Sequence, residues 1–112
     1  MRMDTLQQLN DTLIKRKLED PSTSYVASLY QGGINKIAQK VGEEATEVVI
    51  AAKEAAADAK LKPALIGEVA DLWFHSMVLL NHLNLSADDV LNELQKRSGL
   101  SGHTEKANRP AR

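Results

Sequence analysis

Between positions 63 and 83 the chain offers almost no polar face. Leu65, Ile66, Val69, Leu72, Trp73, Phe74, Met77, Val78, Leu79, Leu80 and Leu83 fall on nearly every side of a helix that turns about 100° per residue. A helix that is apolar all round must be covered all round. With 112 residues in total there is room for one domain and only a few further helices to do the covering. A second subunit is therefore expected to supply part of the cover.

The rest of the chain shows helical periods only. Leu6, Leu9 and Leu13 predict an amphipathic helix over about 4–18. Asp20-Pro21-Ser22-Thr23-Ser24 stops it with turn and capping chemistry. A short helix is predicted over 25–30, with Val26, Leu29 and Tyr30 as apolar contacts, ended by Gly32-Gly33. Ile34, Ile37, Ala38, Val41, Ala45, Val48 and Ala52 share one stripe of a long helix over about 34–57. Asp58 to Lys62 is the expected link, and Pro63 suits the first turn of the apolar helix. Ser86-Ala87-Asp88-Asp89 opens a last helix over about 87–97 carrying Val90, Leu91 and Leu94. The expectation is an all-α bundle of four to five helices completed by dimerisation. Residues 1–97 form the domain and 98–112 a basic tail.

Composition narrows the class. The chain is 43% apolar and 26% charged, which suits a folded soluble protein and not a disordered one. It has no cysteine, so disulfides, thiolate metal sites and cysteine nucleophiles are excluded. A formal charge of −1 argues against a general nucleic-acid binder. No run is expected to reach transmembrane length, and Met1-Arg2-Met3-Asp4 lacks the apolar core of a signal peptide, so a cytoplasmic location is the default. The charge is uneven: Lys96, Arg97, Lys106, Arg109 and Arg112 stand against Glu105 alone. Such a tail can help hold a phosphorylated ligand, or can be a solvated terminus.

Two acidic clusters lie on the two central helices, Glu43-Glu44-Ala45-Thr46-Glu47 and Glu68-Val69-Ala70-Asp71. Residues three apart share a helix face, so Glu44 pairs with Glu47 and Glu68 with Asp71. If the helices pack antiparallel, the two pairs converge. Four carboxylates at one point repel unless a cation holds them, and an all-oxygen ligand set selects Mg²⁺ or Mn²⁺. Surface ion pairing is the competing reading, stronger for the first cluster than for the second, which interrupts an apolar helix. Relative to the stripe, Glu44 is expected at its edge and Glu47 further round, with Lys36 and Lys40 on the same flank. Glu43 points away and suits an ion pair. A di-iron bundle would need Glu-x-x-His, which neither cluster has. His75, one turn after Asp71, reads more readily as a satisfied core residue than as a ligand. His82 and His103 carry no usable spacing. Carboxylate-bound Mg²⁺ beside lysines points to polyphosphate chemistry, and no Gly-x-x-x-x-Gly-Lys-Ser/Thr loop is present.

Ser24-Tyr25-Val26-Ala27-Ser28-Leu29, Gly33, Lys36-Ile37, the run Lys40 to Lys53 and Glu68-Val69-Ala70-Asp71-Leu72 together resemble the phosphoribosyl-ATP pyrophosphatase family. That family lies within the all-α, MazG-like nucleoside-triphosphate pyrophosphatases, marked by Glu-Glu-x-x-Glu and a later Glu-x-x-Asp. The likeness extends through Asp88-Asp89-Val90-Leu91-x-Glu93-Leu94 to Ser101-Gly102 and Glu105-Lys106-Ala107.

The resemblance implies hydrolysis of phosphoribosyl-ATP to phosphoribosyl-AMP and pyrophosphate, the second step of histidine biosynthesis, with Mg²⁺ and in a homodimer. It implies Glu44, Glu47, Glu68 and Asp71 as metal ligands. Glu44 or Glu47 is expected to orient or deprotonate the attacking water, and Lys36 and Lys40 to contact substrate phosphates. A pyrophosphatase for other nucleoside triphosphates is the nearest alternative. A non-catalytic helical dimerisation module is the alternative of another kind.

Overall fold

The structure, a computed structural model, describes residues 2–98. Four α-helices run in sequence: α1 (Arg2–Lys15), α2 (Tyr25–Ala57), α3 (Lys62–His82) and α4 (Ala87–Arg97). Single 3₁₀ turns at Arg16–Leu18 and Ala59–Leu61 extend α1 and lead into α3. No strand occurs among the described residues, so the all-α expectation holds. The tail expected over 98–112 lies outside them beyond Ser98.

The boundaries follow from local chemistry. Ser24 caps α2 by accepting the Ala27 N–H at 3.2 Å. The Asp58 side chain accepts the Lys60 N–H at 3.0 Å and opens the 3₁₀ turn, after which Pro63 sits in the first turn of α3. Before α4, the Asp89 carboxylate accepts the Ser86 N–H at 2.9 Å, forming a capping box. The two predicted helices either side of Gly32-Gly33 are present but fused. Gly33, at φ 81° and ψ −175°, is non-helical, so the two helices meet there at a kink, as the glycine pair predicted.

Helices α2 and α3 form an antiparallel hairpin that dominates the packing. The compact core lies at one end of it. There Leu13 of α1, Val26, Leu29 and Ile37 of α2, Met77 and Val78 of α3 and Ala87 of α4 are buried together. Leu6, Leu9 and Tyr30 pack against them, as their spacing predicted. Lys17 closes this end by donating from Nζ at 2.6 Å to the Asn81 carbonyl near the C-terminus of α3, which also accepts the Asn84 N–H at 3.1 Å.

Two expectations need correction. After Gly33 the buried residues of α2 are Ile37, Glu44, Ala51 and Ala55, of which Ile37 alone belongs to the predicted stripe. Ile34, Ala38 and Ala52 are exposed, and Val41, Ala45 and Val48 only half-buried. Helix α3 is the main neighbour of α2, and it fully covers small residues of α2 in preference to most of the stripe. Secondly, the segment 59–82 is long and apolar enough to cross a membrane by length and composition, an 18-residue window of it having mean hydropathy 1.2. Its carboxylates Glu68 and Asp71 face an acid of α2, which is the behaviour of a protein-facing helix.

Covering of α3 is incomplete within one chain. Ile66 is 71% and Trp73 59% exposed, and on α2 Val49 and Ile50 are more than half exposed. The Val90 and Leu94 side chains predicted for α4 are also open to solvent. They line a groove with Trp73, Met77 and Leu80.

Candidate active site

The antiparallel hairpin brings the two acidic clusters together. Carboxylate oxygens of Glu44, Glu68 and Asp71 all lie within 4.8 Å of one another, an arrangement that can hold a metal ion. Glu44 is 7% exposed, Glu68 half-buried and Asp71 exposed, so the cluster runs from the helix seam out to solvent. Placing Glu44 on the seam revises its expected position at the edge of the stripe. Glu47, one turn beyond Glu44, is exposed and stands beside Glu68, near enough to hydrogen-bond it.

This crowding has an electrostatic signature. The Glu68 carboxyl is held above the usual carboxylate range. The hydrogen bond with Glu47 is the largest cause, followed by burial and then by the charges of Glu47, Asp71 and Glu44. Two buried oxygens, Glu44 Oε2 and Glu68 Oε2, have no hydrogen-bond partner. A buried acceptor left unpaired is costly, and here two point into a cluster of like charge. A hard divalent cation held here would satisfy them and offset the repulsion. The donor set fits Mg²⁺ or Mn²⁺ and lacks the nitrogen or sulfur ligands that zinc or copper would favour.

Among the described residues, Lys40 brings a cation to the cluster. Its Nζ lies 3.3 Å from Glu43 Oε2 and 3.9 Å from Glu44 Oε1. Its pKa is raised, first by the hydrogen bond to Glu43, with the Tyr25 phenol and the Glu43 and Glu44 charges also contributing. Glu43 takes the outward role expected of it, accepting from Gln39 Nε2 at 3.0 Å as well as from Lys40. Lys36 is exposed on the same flank, and its stem lies over Gly32 so closely that a Cβ there would meet Lys36 Cβ and Cγ at 2.9 Å.

His75 is a satisfied interior residue and not a fifth ligand. It is 6% exposed. Its Nδ1 donates to the Asp71 carbonyl at 2.8 Å, and its Nε2 lies 3.0 Å from the Tyr25 hydroxyl. Tyr25 was singled out only as part of a motif. The signal available in the sequence is its place directly after the Ser24 cap, in the first turn of α2.

Comparison with known proteins agrees with this geometry. Residues 6–98 match the family described as phosphoribosyl-ATP pyrophosphohydrolase. The chain is 60% identical, over 109 residues, to a protein named phosphoribosyl-ATP pyrophosphatase from Hydrogenovibrio crunogenus; the match covers 97% of this chain and 96% of that one. Helices that converge on three carboxylates, and a match running through all of them, assign the chain to the phosphoribosyl-ATP pyrophosphohydrolase family.

Proposed function

We propose that the chain hydrolyses 1-(5-phosphoribosyl)-ATP to 1-(5-phosphoribosyl)-AMP and pyrophosphate, the second step of histidine biosynthesis. The observation that carries this reading is the convergence of Glu44, Glu68 and Asp71 with two buried, unpartnered oxygens, in a chain of this family.

Glu44, Glu68 and Asp71, with Glu47 from the adjacent turn, would hold Mg²⁺. When bound, Mg²⁺ supplies charge neutralisation for the phosphate oxygens and greater acidity for water. The chain's own residues do the remainder. Water attacks the phosphoanhydride between the α and β phosphates, and Glu44 or Glu47 orients it and receives its proton. Glu47 has the freer oxygens for that task, since it is exposed while Glu44 is sealed in the helix seam. Lys40 can exchange its contact with Glu43 for a phosphate oxygen, and Lys36 can reach the same side. Both stabilise the charge on departing pyrophosphate.

A homodimer is part of the proposal, supported by the uncovered apolar surface of α2 and α3. So is a cytoplasmic location, because a multiply charged nucleotide does not cross membranes unaided. Incubation with phosphoribosyl-ATP and Mg²⁺ should release pyrophosphate, and chelation should stop it. Turnover of ordinary nucleoside triphosphates with none on phosphoribosyl-ATP would overturn the substrate assignment.

A further inference from the structure

The Tyr25–His75 pair has a direction that chemistry dictates. A main-chain carbonyl only accepts, so the 2.8 Å contact to Asp71 places the proton of a neutral His75 on Nδ1. Nε2 is then a bare lone pair, and the Tyr25 hydroxyl 3.0 Å away must donate to it. The phenol proton is thereby turned inward. The Tyr25 oxygen is left with its lone pairs facing out from a half-exposed ring.

That oxygen is tied to the carboxylate cluster through His75, which bonds the main-chain carbonyl of Asp71, a cluster residue. It lies within electrostatic reach of Lys40, whose Nζ is 3.9 Å from Glu44 Oε1. His75 is held in place by its burial, by the Phe74 ring edge-on at 5.1 Å and by the Asp71 carbonyl on the same helix. Asp71 itself contributes a carboxylate to the cluster. One imidazole therefore links the backbone of a cluster residue to the rotor of a surface phenol.

We propose that His75 is a positioning residue which fixes the Tyr25 hydroxyl as a hydrogen-bond acceptor at the mouth of the carboxylate site, where it receives an O–H or N–H of the bound nucleotide. An oxygen in this state repels phosphate oxygens, so the contact is to a sugar hydroxyl or a base amino group. The inference rests on the reading that the chain hydrolyses phosphoribosyl-ATP.

Steady-state kinetics of Tyr25→Phe, His75→Leu, His75→Gln and the Tyr25→Phe/His75→Leu double variant test it, beside the Mg²⁺-induced thermal shift of each. Tyr25→Phe should raise KM about 3- to 10-fold with kcat within about twofold, the scale of one neutral hydrogen bond. The thermal shift with Mg²⁺ should be unchanged. His75→Leu should raise KM equally, and the double variant no more than either single one, since both remove the same contact. His75→Gln, which again offers one donor and one acceptor, should recover part of the loss. Wild-type KM in Tyr25→Phe overturns the inference even if the His75 variants fail to fold. So do independent, multiplying effects of the two positions. Absence of pyrophosphate release by the wild type overturns the functional reading itself, and this inference with it.

Discussion

Glu68 shows how a single side chain reports on the whole cluster. Its raised pKa means the folded protein binds that proton more tightly than the unfolded chain does. This contribution to stability is fully present below the ordinary value of 4.5 and is lost as pH rises through the elevated pKa. In the presence of a chelator, the wild type should lose stability relative to Glu68→Gln as pH rises above that value. Denaturant titrations of both proteins at several pH values measure the difference. Saturating Mg²⁺ should reverse the order at neutral pH: at a hundredfold excess over Kd, binding stabilises the folded state by about 2.7 kcal/mol, and Glu68→Gln forfeits much of that gain. Glu47 is the complementary case. It is exposed, so Glu47→Gln should leave helicity by circular dichroism intact while lowering pyrophosphate release by at least about 100-fold. Near-normal turnover in that variant would remove Glu47 from the chemistry.

Among the elements, α2 carries the most consequence per residue. Its capped first turn holds Tyr25, and its middle holds Glu44 and Glu47. Gly33 sets the angle between the two. At φ 81° and ψ −175° this position is open essentially to glycine alone, and a Cβ there would meet no neighbouring atom. The cost of Gly33→Ala is therefore conformational and not steric, of order 1–3 kcal/mol. A lower urea midpoint with an unaltered m-value would show it; an unchanged midpoint would mean that the kink relaxes. Both glycines were legible in the sequence as a break. What the sequence could not show is the angle at which the two halves meet at Gly33. Glu44, expected at the edge of the apolar stripe, is among the buried residues of that second half.

At the scale of the molecule, the core is gathered where all four helices meet, and the carboxylate end is a hairpin with few buried side chains. Ile66, Trp73, Val49 and Ile50 leave an apolar surface on that hairpin, as the sequence of α3 foretold. If a second copy covers it by two-fold symmetry, each interfacial position counts twice. Burying isoleucine contributes about 1.5–3 kcal/mol, so Ile66→Lys should weaken association by on the order of a hundredfold or more. Sedimentation equilibrium should show a monomer at concentrations where the wild type is a dimer. A wild type that is monomeric at every concentration would leave the apolar surface without its proposed role.

Helix type, helix ends and the pairing of acids within each cluster were determined by the sequence alone, because they depend on side chains three and four residues apart and on caps at the termini. Pro63, Asp58 and the Ser86–Asp89 box acted as their local chemistry predicts. Which acids met across helices, which oxygens lost their partners and that His75 would take Tyr25 were decided only by the tertiary structure. Those outcomes depend on how α2 is rotated against α3, and that rotation is set by small residues and close approach, which a periodic pattern does not encode.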